Sequence, residues 1–339
     1  MGAHASEQDV ERICEIINKL GYEARPIPGG QRTAIGIVGN QGAVDPGRFV
    51  GLPGVANVIP VSAPYKMVSR EWKDEDTIIR LKNGTEIGGG KLAIMGGPCS
   101  VETEEQIFES AKGVAAGGGT VLRGGAFKPR TSPYAFQGLG EDGLRMMRAA
   151  ADEYGLAMIT EAVDHSSAEL VARYADIVQI GARNMQNYSL LSAVGKMEIP
   201  VVLKRGMSAT IKEWLLAAEY LMSAGNEQVA LCERGIRSFD TSTRNVMDIA
   251  AIAVAKAHTH LPVIADPSHG CGRREHVAAL ARAAVAVGAD GLIVEMHPKP
   301  EEALSDGAQS LYPEQFTAMV DGARKVAHAL GRSLSTAQG

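Results

Sequence analysis

The chain is best read from the stretch Thr120-Val121-Leu122-Arg123-Gly124-Gly125-Ala126-Phe127-Lys128-Pro129-Arg130-Thr131-Ser132-Pro133-Tyr134. An apolar run ends at Leu122, and three cations then follow within eight residues, with no carboxylate to neutralise them. The glycines allow close approach of the backbone to a ligand, and the prolines stiffen the loop. Phosphates are natural ligands of a rigid cationic loop. The stretch predicts a strand that leads into an anion-binding loop, and a solvated basic loop is the alternative.

The alternation of a short apolar strand with a helix recurs from residue 91 to the end of the chain. Strands are predicted at 92–95, 120–122, 157–160, 177–180, 201–203, 229–231, 263–265 and 292–294. Helices are predicted at 103–116, 141–153, 166–174, 187–194, 209–223, 243–257, 273–286 and 313–330. Eight such units in about 240 residues predict an α/β fold, a (β/α)8 TIM barrel, over 91–339. A doubly wound open sheet is the alternative.

The first 90 residues follow a different pattern. A helix is predicted at 6–20, strands at 22–27, 33–38 and 55–61, and a short helix at 46–52. This order indicates a small ferredoxin-like α+β domain over 1–63 that lacks its first strand. Residues 64–90 are predicted to form a linker and a hairpin turning at Asn83-Gly84, which plugs one end of the barrel.

Composition excludes several classes of function. The chain has 339 residues, is 45% hydrophobic and 22% charged, and carries a net charge of −5, which is unlike a nucleic-acid-binding surface. It contains no run of about 18 apolar residues, so no membrane span is expected. Its four cysteines are widely spaced, which favours reduced thiols and a cytoplasmic location.

A barrel of this kind places its active site at the C-terminal ends of the strands, where two clusters are predicted. One is cationic and suits two phosphorylated groups: Arg123, Lys128, Arg130, Arg183, Lys204 and Arg234. The other offers sulfur, nitrogen and oxygen donors that suit Mn, Fe, Co or Zn better than Mg: Cys99, His269, Glu295 and Asp306. Taken singly, Cys99 could be a small buried residue and His269 an ordinary loop histidine. His258 and His260 are predicted to be a solvated helix end at the opposite rim.

These strand ends carry motifs that resemble 3-deoxy-D-arabino-heptulosonate 7-phosphate (DAHP) synthases, of the microbial branch related to 3-deoxy-octulosonate 8-phosphate (KDO8P) synthase. The motifs are Gly97-Pro98-Cys99-Ser100-Val101-Glu102, Lys128-Pro129-Arg130-Thr131-Ser132, Ile180-Gly181-Ala182-Arg183-Asn184, Asp266-Pro267-Ser268-His269 and Glu295-Met296-His297-Pro298. The resemblance extends over residues 10–332. It implies a transferase that condenses phosphoenolpyruvate with erythrose 4-phosphate and water and releases phosphate, as the first step of the shikimate pathway.

The resemblance also implies a role for each matching residue. The metal ligands would be Cys99, His269, Glu295 and Asp306. The phosphoenolpyruvate contacts would be Arg123, Lys128, Glu161, Arg183, Lys204 and Arg234. The erythrose 4-phosphate contacts would be Arg130, Thr131 and Ser132, with Asp306 near the sugar. Lys128 and Glu161 are our candidates for proton transfer. A homotetramer or homodimer and an aromatic amino-acid effector of the N-terminal domain are further expectations.

Three alternative functions remain open from the sequence. The first is KDO8P synthesis from arabinose 5-phosphate, although the loop Lys128-Pro129-Arg130 lacks the Asn that those enzymes usually carry between the cations. The second is a metal-dependent aldolase that acts without phosphoenolpyruvate. The third is a non-catalytic amino-acid sensor built on residues 6–63.

Overall fold

The structure is a computed structural model that describes residues 1–2, 4–29, 32–40, 44–59, 64–128, 132 and 134–337. The chain divides into two compact units, Met1–Asp74 and Glu75–Gly339. Each unit has a hydrophobic cluster of its own. No helix among the described residues combines the length and the apolar character that crossing a bilayer requires.

The N-terminal unit packs one helix on a two-stranded sheet. Helix α1 (Glu7–Lys19) begins at Ser6, whose hydroxyl accepts from the Asp9 amide in a capping box. Strands β1 (Glu23–Pro28) and β2 (Thr33–Val38) pair antiparallel. The apolar face of α1 buries Ile13 and Ile17 beside Phe49.

The predicted strand at 55–61 is wrong over its described part, 55–59, which forms no strand. The Val55 amide closes a turn onto the Leu52 carbonyl, and the side chains of Val55 and Val58 pack on the helix–sheet cluster. The apolar pattern there therefore serves the core. The short helix predicted at 46–52 is a 3-10 turn over Pro46–Arg48 only.

The second unit opens with a hairpin at the N-terminal end of the barrel. Strands β3 (Ile79–Arg80) and β4 (Glu86–Ile87) pair antiparallel around Asn83-Gly84. Ile79, Leu81 and Ile87 are buried in the cluster that contains the inward-facing barrel residues. The prediction of a solvated helix end is wrong for His260, which is buried with its Nδ1 2.8 Å from the Thr77 hydroxyl, and right for the exposed His258.

The barrel prediction is confirmed, and the doubly wound alternative is excluded, because the last of eight parallel strands pairs with the first. The strands are β5 (Lys91–Gly97), β6 (Val121–Arg123), β7 (Ala157–Ala162), β8 (Ile177–Ile180), β9 (Val201–Lys204), β10 (Val229–Glu233), β11 (Val263–Ala265) and β12 (Gly291–Glu295). Their near-continuous burial explains why the sequence shows apolar runs instead of alternation. A short strand, β13 (Ser333–Leu334), pairs with the start of β5.

Helices cover the strands on the outside. They are α2 (Glu104–Ala116), α3 (Glu141–Glu153), α4 (His165–Tyr174), α5 (Tyr188–Val194), α6 (Ile211–Ser223), α7 (Ile249–His258), α8 (Pro267–Cys271), α9 (Arg274–Ala286) and α10 (Pro313–Ala329). The short α8 was not predicted. The helix predicted from residue 243 begins at Ile249, because the Asp248 carboxylate caps it by accepting from the Ala251 amide.

Candidate active site

A cavity of about 430 Å³ lies in the N-terminal unit, and one of about 290 Å³ lies at the C-terminal ends of the barrel strands. Most of the residues predicted for the site line the barrel cavity: Cys99, Arg123, Lys128, Ser132, Glu161, Arg183, Lys204, Arg234, His269 and Asp306. Glu295 lies against this group, fully buried and bonded to Arg123. The predicted residues Arg130 and Thr131 lie outside the described part of the chain. The lining also includes residues that were not predicted: Ala135, Gln179, Gly181, Ala182, Met207 and Arg244.

Three of the predicted metal ligands form a tight cluster. The donor atoms of Cys99, Glu295 and Asp306 all lie within 4.8 Å of one another. Cys99 Sγ is 3.3 Å from Asp306 Oδ2. Close approach of the strand ends requires Gly97, where φ is +140° and an added Cβ would lie 2.1 Å from the Arg123 carbonyl oxygen.

The fourth predicted ligand, His269, points into the same cluster. Its Nε2 lies 3.4 Å from Glu295 Oε1 and 3.9 Å from Asp306 Oδ2. Asp266 caps α8 by accepting from the His269 amide, and its other oxygen lies 2.8 Å from His269 Nδ1. This arrangement leaves Nε2 directed at the cluster. The same oxygen also accepts from Lys204 Nζ. Burial would raise the pKa of Asp266, but His269 and Lys204 hold it well below its usual range.

These residues fit a divalent transition metal. Donors about 2.0–2.3 Å from such an ion lie roughly 3–4 Å apart, and the distances from Cys99 Sγ to Asp306 and from His269 Nε2 to Glu295 and Asp306 fall in this range. Burial and the Glu295 carboxylate raise the pKa of the Cys99 thiol to about 11, against the opposing effect of Lys128, whose Nζ is 3.0 Å from the sulfur. A metal ion would supply the charge that a thiolate among carboxylates needs.

Asp306 is placed by a strained backbone and by a residue that the sequence analysis missed. It is the one non-glycine residue in the described chain with positive φ, at +53°. Arg244 donates to Asp306 Oδ1 at 3.1 Å and to Gln309 Oε1 at 3.0 Å. Gln309 in turn donates to Glu295 Oε2 at 2.7 Å. Arg244 was missed because it lay inside the predicted helix at 243–257. Recognition of Asp248 as the N-cap would have placed Arg244 in the loop before that helix.

Cationic side chains also line the cavity. Lys204 is buried and paired with Asp266. Arg234 is 5% exposed, and within the described residues its guanidinium makes no ion pair, only a bond of 3.4 Å to the Gly235 carbonyl. Burial lowers the pKa of Arg234, and the charge of Arg244 adds to this effect, while the Asp266 carboxylate opposes it. Together with Arg183, Arg234 forms a ready site for an anion.

Glu161 is positioned by two residues of the neighbouring segment, Gln179 on β8 and Gly181 just after it. Glu161 and Gln179 are register partners on β7 and β8, and the Gln179 amide donates to Glu161 Oε2 at 3.3 Å. Gly181 follows β8 and leaves room for the carboxylate, because an added Cβ there would lie 2.0 Å from Glu161 Oε1. The absence of a side chain at Gly181 therefore sets the position of Glu161.

Gly181→Ala is expected to lower turnover by about 100-fold, in the range of a lost general acid–base group. The clashing atom ends a flexible side chain, so Glu161 moves away and the fold survives. Steady-state kinetics and a thermal melt test this. Gly322→Ala, on α10 and 3.4 Å from the Arg282 side chain, is the control and should leave turnover unchanged. Full turnover in Gly181→Ala would remove Glu161 from the chemistry.

The fold and the site define a class: a (β/α)8 protein with a candidate transition-metal cluster facing an anion site. Comparison with known proteins narrows this class. The family model described as "DAHP synthetase I family" matches residues 76–330, and that described as "DAHP synthase ferredoxin-like domain" matches residues 1–63. The chain belongs to the DAHP synthetase I family.

Individual relatives agree with this assignment. The chain is 50% identical over 327 residues to a phospho-2-dehydro-3-deoxyheptonate aldolase of Thermotoga maritima, covering 96% of both chains. A crystal structure of the enzyme of that name from Thermotoga maritima matches with a TM-score of 0.80, at 48% identity, over 98% of this chain and 97% of the other. A 2-dehydro-3-deoxyphosphooctonate aldolase of Syntrophotalea carbinolica is 35% identical over 246 residues, covering 67% of this chain and 88% of its own.

Proposed function

We propose that the chain condenses phosphoenolpyruvate with erythrose 4-phosphate and water to give DAHP and phosphate. The observation that carries the proposal is one cavity that joins a metal-ligand cluster to the buried guanidinium of Arg234, which has no ion pair among the described residues. The 50% identity to the Thermotoga maritima enzyme supports it further. A divalent metal would bind Cys99, His269, Glu295 and Asp306, and it would act as a Lewis acid that polarises an aldehyde carbonyl.

The cationic side fixes the other substrate. In this proposal Arg183, Lys204 and Arg234 bind the phosphate and carboxylate of phosphoenolpyruvate through charge-assisted hydrogen bonds. Arg123, bonded to Glu295 and to the Pro98 carbonyl, completes the floor. Holding this substrate opposite the metal cluster aligns its C3 with the aldehyde carbon.

The two proton-transfer candidates, Lys128 and Glu161, both line the cavity. C3 of phosphoenolpyruvate forms the new carbon–carbon bond, water adds to C2, and the C2–O bond to phosphate then breaks. In this proposal Lys128, whose Nζ is 3.0 Å from Cys99 Sγ, gives a proton to the aldehyde oxygen, and Asp306 is assigned a position near the sugar. Glu161, which accepts a hydrogen bond from Gln179, is our candidate to take a proton from the water.

The distal phosphate of the aldose is assigned to the loop after β6. Ser132 lines the cavity there and is exposed. Arg130 and Thr131 join it in the proposal on the strength of the motif alone. The same loop decides between erythrose 4-phosphate and arabinose 5-phosphate, because it fixes where the far end of the sugar lies.

One assay separates the proposed reaction from its rivals. Phosphate release is measured with phosphoenolpyruvate and each aldose in turn, with and without EDTA. We expect phosphate release when phosphoenolpyruvate is combined with erythrose 4-phosphate but not with arabinose 5-phosphate. We expect EDTA to abolish this release. Release with arabinose 5-phosphate would favour KDO8P synthesis, and carbon–carbon bond formation without phosphoenolpyruvate would favour an aldolase. Mn, Fe, Co or Zn added back after EDTA identifies the ion.

The setting of the enzyme completes the proposal. We assign it to the cytoplasm and to a homotetramer or homodimer. For the N-terminal unit we keep the proposal of an aromatic amino-acid effector, supported by its cavity, which Ile13, Ile17, Phe49 and Trp72 help to line. A thermal shift with tyrosine or phenylalanine that persists in residues 1–74 would also support a sensor role.

A chain shortened to residues 75–339 is expected to fold and to keep most of its turnover. Among the described residues, all those that line the barrel cavity come from the unit Glu75–Gly339, which has its own core. A solved truncated form of the Thermotoga maritima enzyme matches 79% of this chain at 50% identity. Circular dichroism and steady-state kinetics are the measurements. A folded, metal-loaded fragment without turnover would mean that residues 1–74 belong to the catalytic machinery.

A further inference from the structure

We propose that Arg205 is a positioning residue that clamps the two ends of the loop 234–248 and thereby aims Arg234 and Arg244 into the cavity. The inference rests on the proposed function, because it assigns the clamp to phosphoenolpyruvate binding. The clamp consists of Arg205, Glu233 and Asp248, and none of these three residues lines the cavity.

The clamp is a three-residue ion cluster at the base of the loop, in which Arg205 and Glu233 are buried and Asp248 is half-buried. Arg205 follows β9, Glu233 ends β10, and Asp248 caps α7. Arg205 Nη1 lies 2.9 Å from Glu233 Oε2 and 2.9 Å from Asp248 Oδ2. Its Nε donates to the Ala209 carbonyl at 3.0 Å, which fixes the plane of the guanidinium. One cation thus joins the carboxylates that precede and end the loop.

Glu233 also holds both ends of the loop through the backbone. Its Oε1 accepts from the Gly235 amide at 2.6 Å and from the Asp248 amide at 3.3 Å. Gly235 has a φ of +89°, and an added Cβ would lie 2.8 Å from Asn245 Cβ, so the two sides of the loop touch there. A bridge between Ile236 and Val246 continues the pairing.

The loop held in this way carries two guanidinium groups to the cavity. Arg234 is its first residue, and Arg244 lies near its end. Arg234 makes no ion pair within the described chain, so its direction depends on the backbone that Glu233 and Gly235 fix. A backbone displacement at the base would move both groups relative to the ligand, and errors of about 1 Å in such contacts are costly.

The buried charges need each other. Glu233 is fully buried, and burial raises its pKa while Arg205 opposes the rise. Without Arg205, two carboxylates would face each other at the base of the loop. Any variant of Arg205 is therefore expected to be less stable than the parent. The control variant must lose a similar amount of stability. Lys256 offers one: its Nζ is 2.7 Å from the buried Asp290 at the other end of the barrel.

The experiment compares Arg205→Met with Lys256→Met in the full-length, metal-loaded chain. Binding of phosphoenolpyruvate is measured by calorimetry without aldose, and amide exchange of residues 234–248 by mass spectrometry. For Arg205→Met, with metal kept at saturation because Arg244 also contacts Asp306, we expect about tenfold weaker binding and at least about tenfold faster loop exchange. Lys256→Met should melt earlier but change neither binding nor loop exchange.

Unchanged binding and exchange in Arg205→Met, or equal effects in Lys256→Met, would overturn the proposal. If Arg205→Met does not fold, Arg205→Lys decides: the shorter lysine has no Nε–H for the Ala209 carbonyl, which fixes the group that contacts both carboxylates, so weaker binding is again expected and parental binding overturns the clamp. If the parent chain itself fails to bind phosphoenolpyruvate, the proposed function fails, and loop exchange still tests the clamp.

Discussion

Cys99→Ala is expected to lose its bound metal and its phosphate release while keeping the fold. The Cys99 sulfur lies 3.3 Å from Asp306 Oδ2 and 3.0 Å from Lys128 Nζ, at the centre of the candidate metal site. Loss of a partner outside the ligand set alone typically costs 10–100-fold in metal affinity, so loss of a ligand should exceed about 100-fold. Metal content after dialysis and the rate of phosphate release are the measurements.

Cys232→Ala is the matched control for this variant. Cys232 is equally buried, but it packs in the interior cluster of the barrel, one residue before Glu233. Its removal should lower the thermal midpoint through a small cavity and leave the metal content intact. A Cys99→Ala protein with full metal and full rate would show that the ion is held without the thiolate.

Arg234→Met is expected to weaken phosphoenolpyruvate binding and to stabilise the fold at the same time. The lost charge-assisted contact corresponds to a rise of about 10- to 150-fold in the Michaelis constant for phosphoenolpyruvate, with little change for the aldose. The thermal midpoint should rise, because the variant removes a buried cation that has a lowered pKa and no ion pair within the part of the chain that the structure describes. Such a trade of stability for binding is typical of functional sites.

Arg237→Met, at an exposed arginine of the same loop, controls for loss of charge. It should change neither quantity. Equal effects of Arg234→Met on both substrates would argue against its place in the phosphoenolpyruvate half. Lys204 is a poorer choice for this test, because its removal leaves the buried carboxylate of Asp266 without its lysine partner. The loss of stability would then be hard to separate from the loss of phosphoenolpyruvate binding.

The sequence predicts the barrel and most of the site because both depend on local patterns. Buried parallel strands produce apolar runs, and a charged motif follows each run at the same edge of the sheet. The residues that were missed depend on contacts between strands or loops. Gln179 and Gln309 are neutral amides whose partners are set by register and loop geometry, and the bridge from Arg205 to Glu233 and Asp248 joins three separate segments.

The N-terminal unit was harder to predict, for a physical reason. In a unit of 74 residues, apolar side chains on irregular segments supply a large part of the core, as Val55 and Val58 do. Their spacing imitates a strand although their backbone forms none. Asp266 was overlooked for another reason: a carboxylate before Pro267 indicates a helix cap, and its second oxygen also serves His269 and Lys204.

The hairpin at the foot of the barrel also governs the traffic of small molecules. Ile79, Leu81 and Ile87 fill the axis, so within the described chain a ligand cannot travel through the barrel from end to end. Both substrates must enter, and both products must leave, at the C-terminal end of the barrel, where Arg183 and Arg234 line the cavity. Under the proposed reaction, phosphate that accumulates in solution enters by the same end of the barrel. It competes with phosphoenolpyruvate for the same guanidinium groups and therefore inhibits the enzyme.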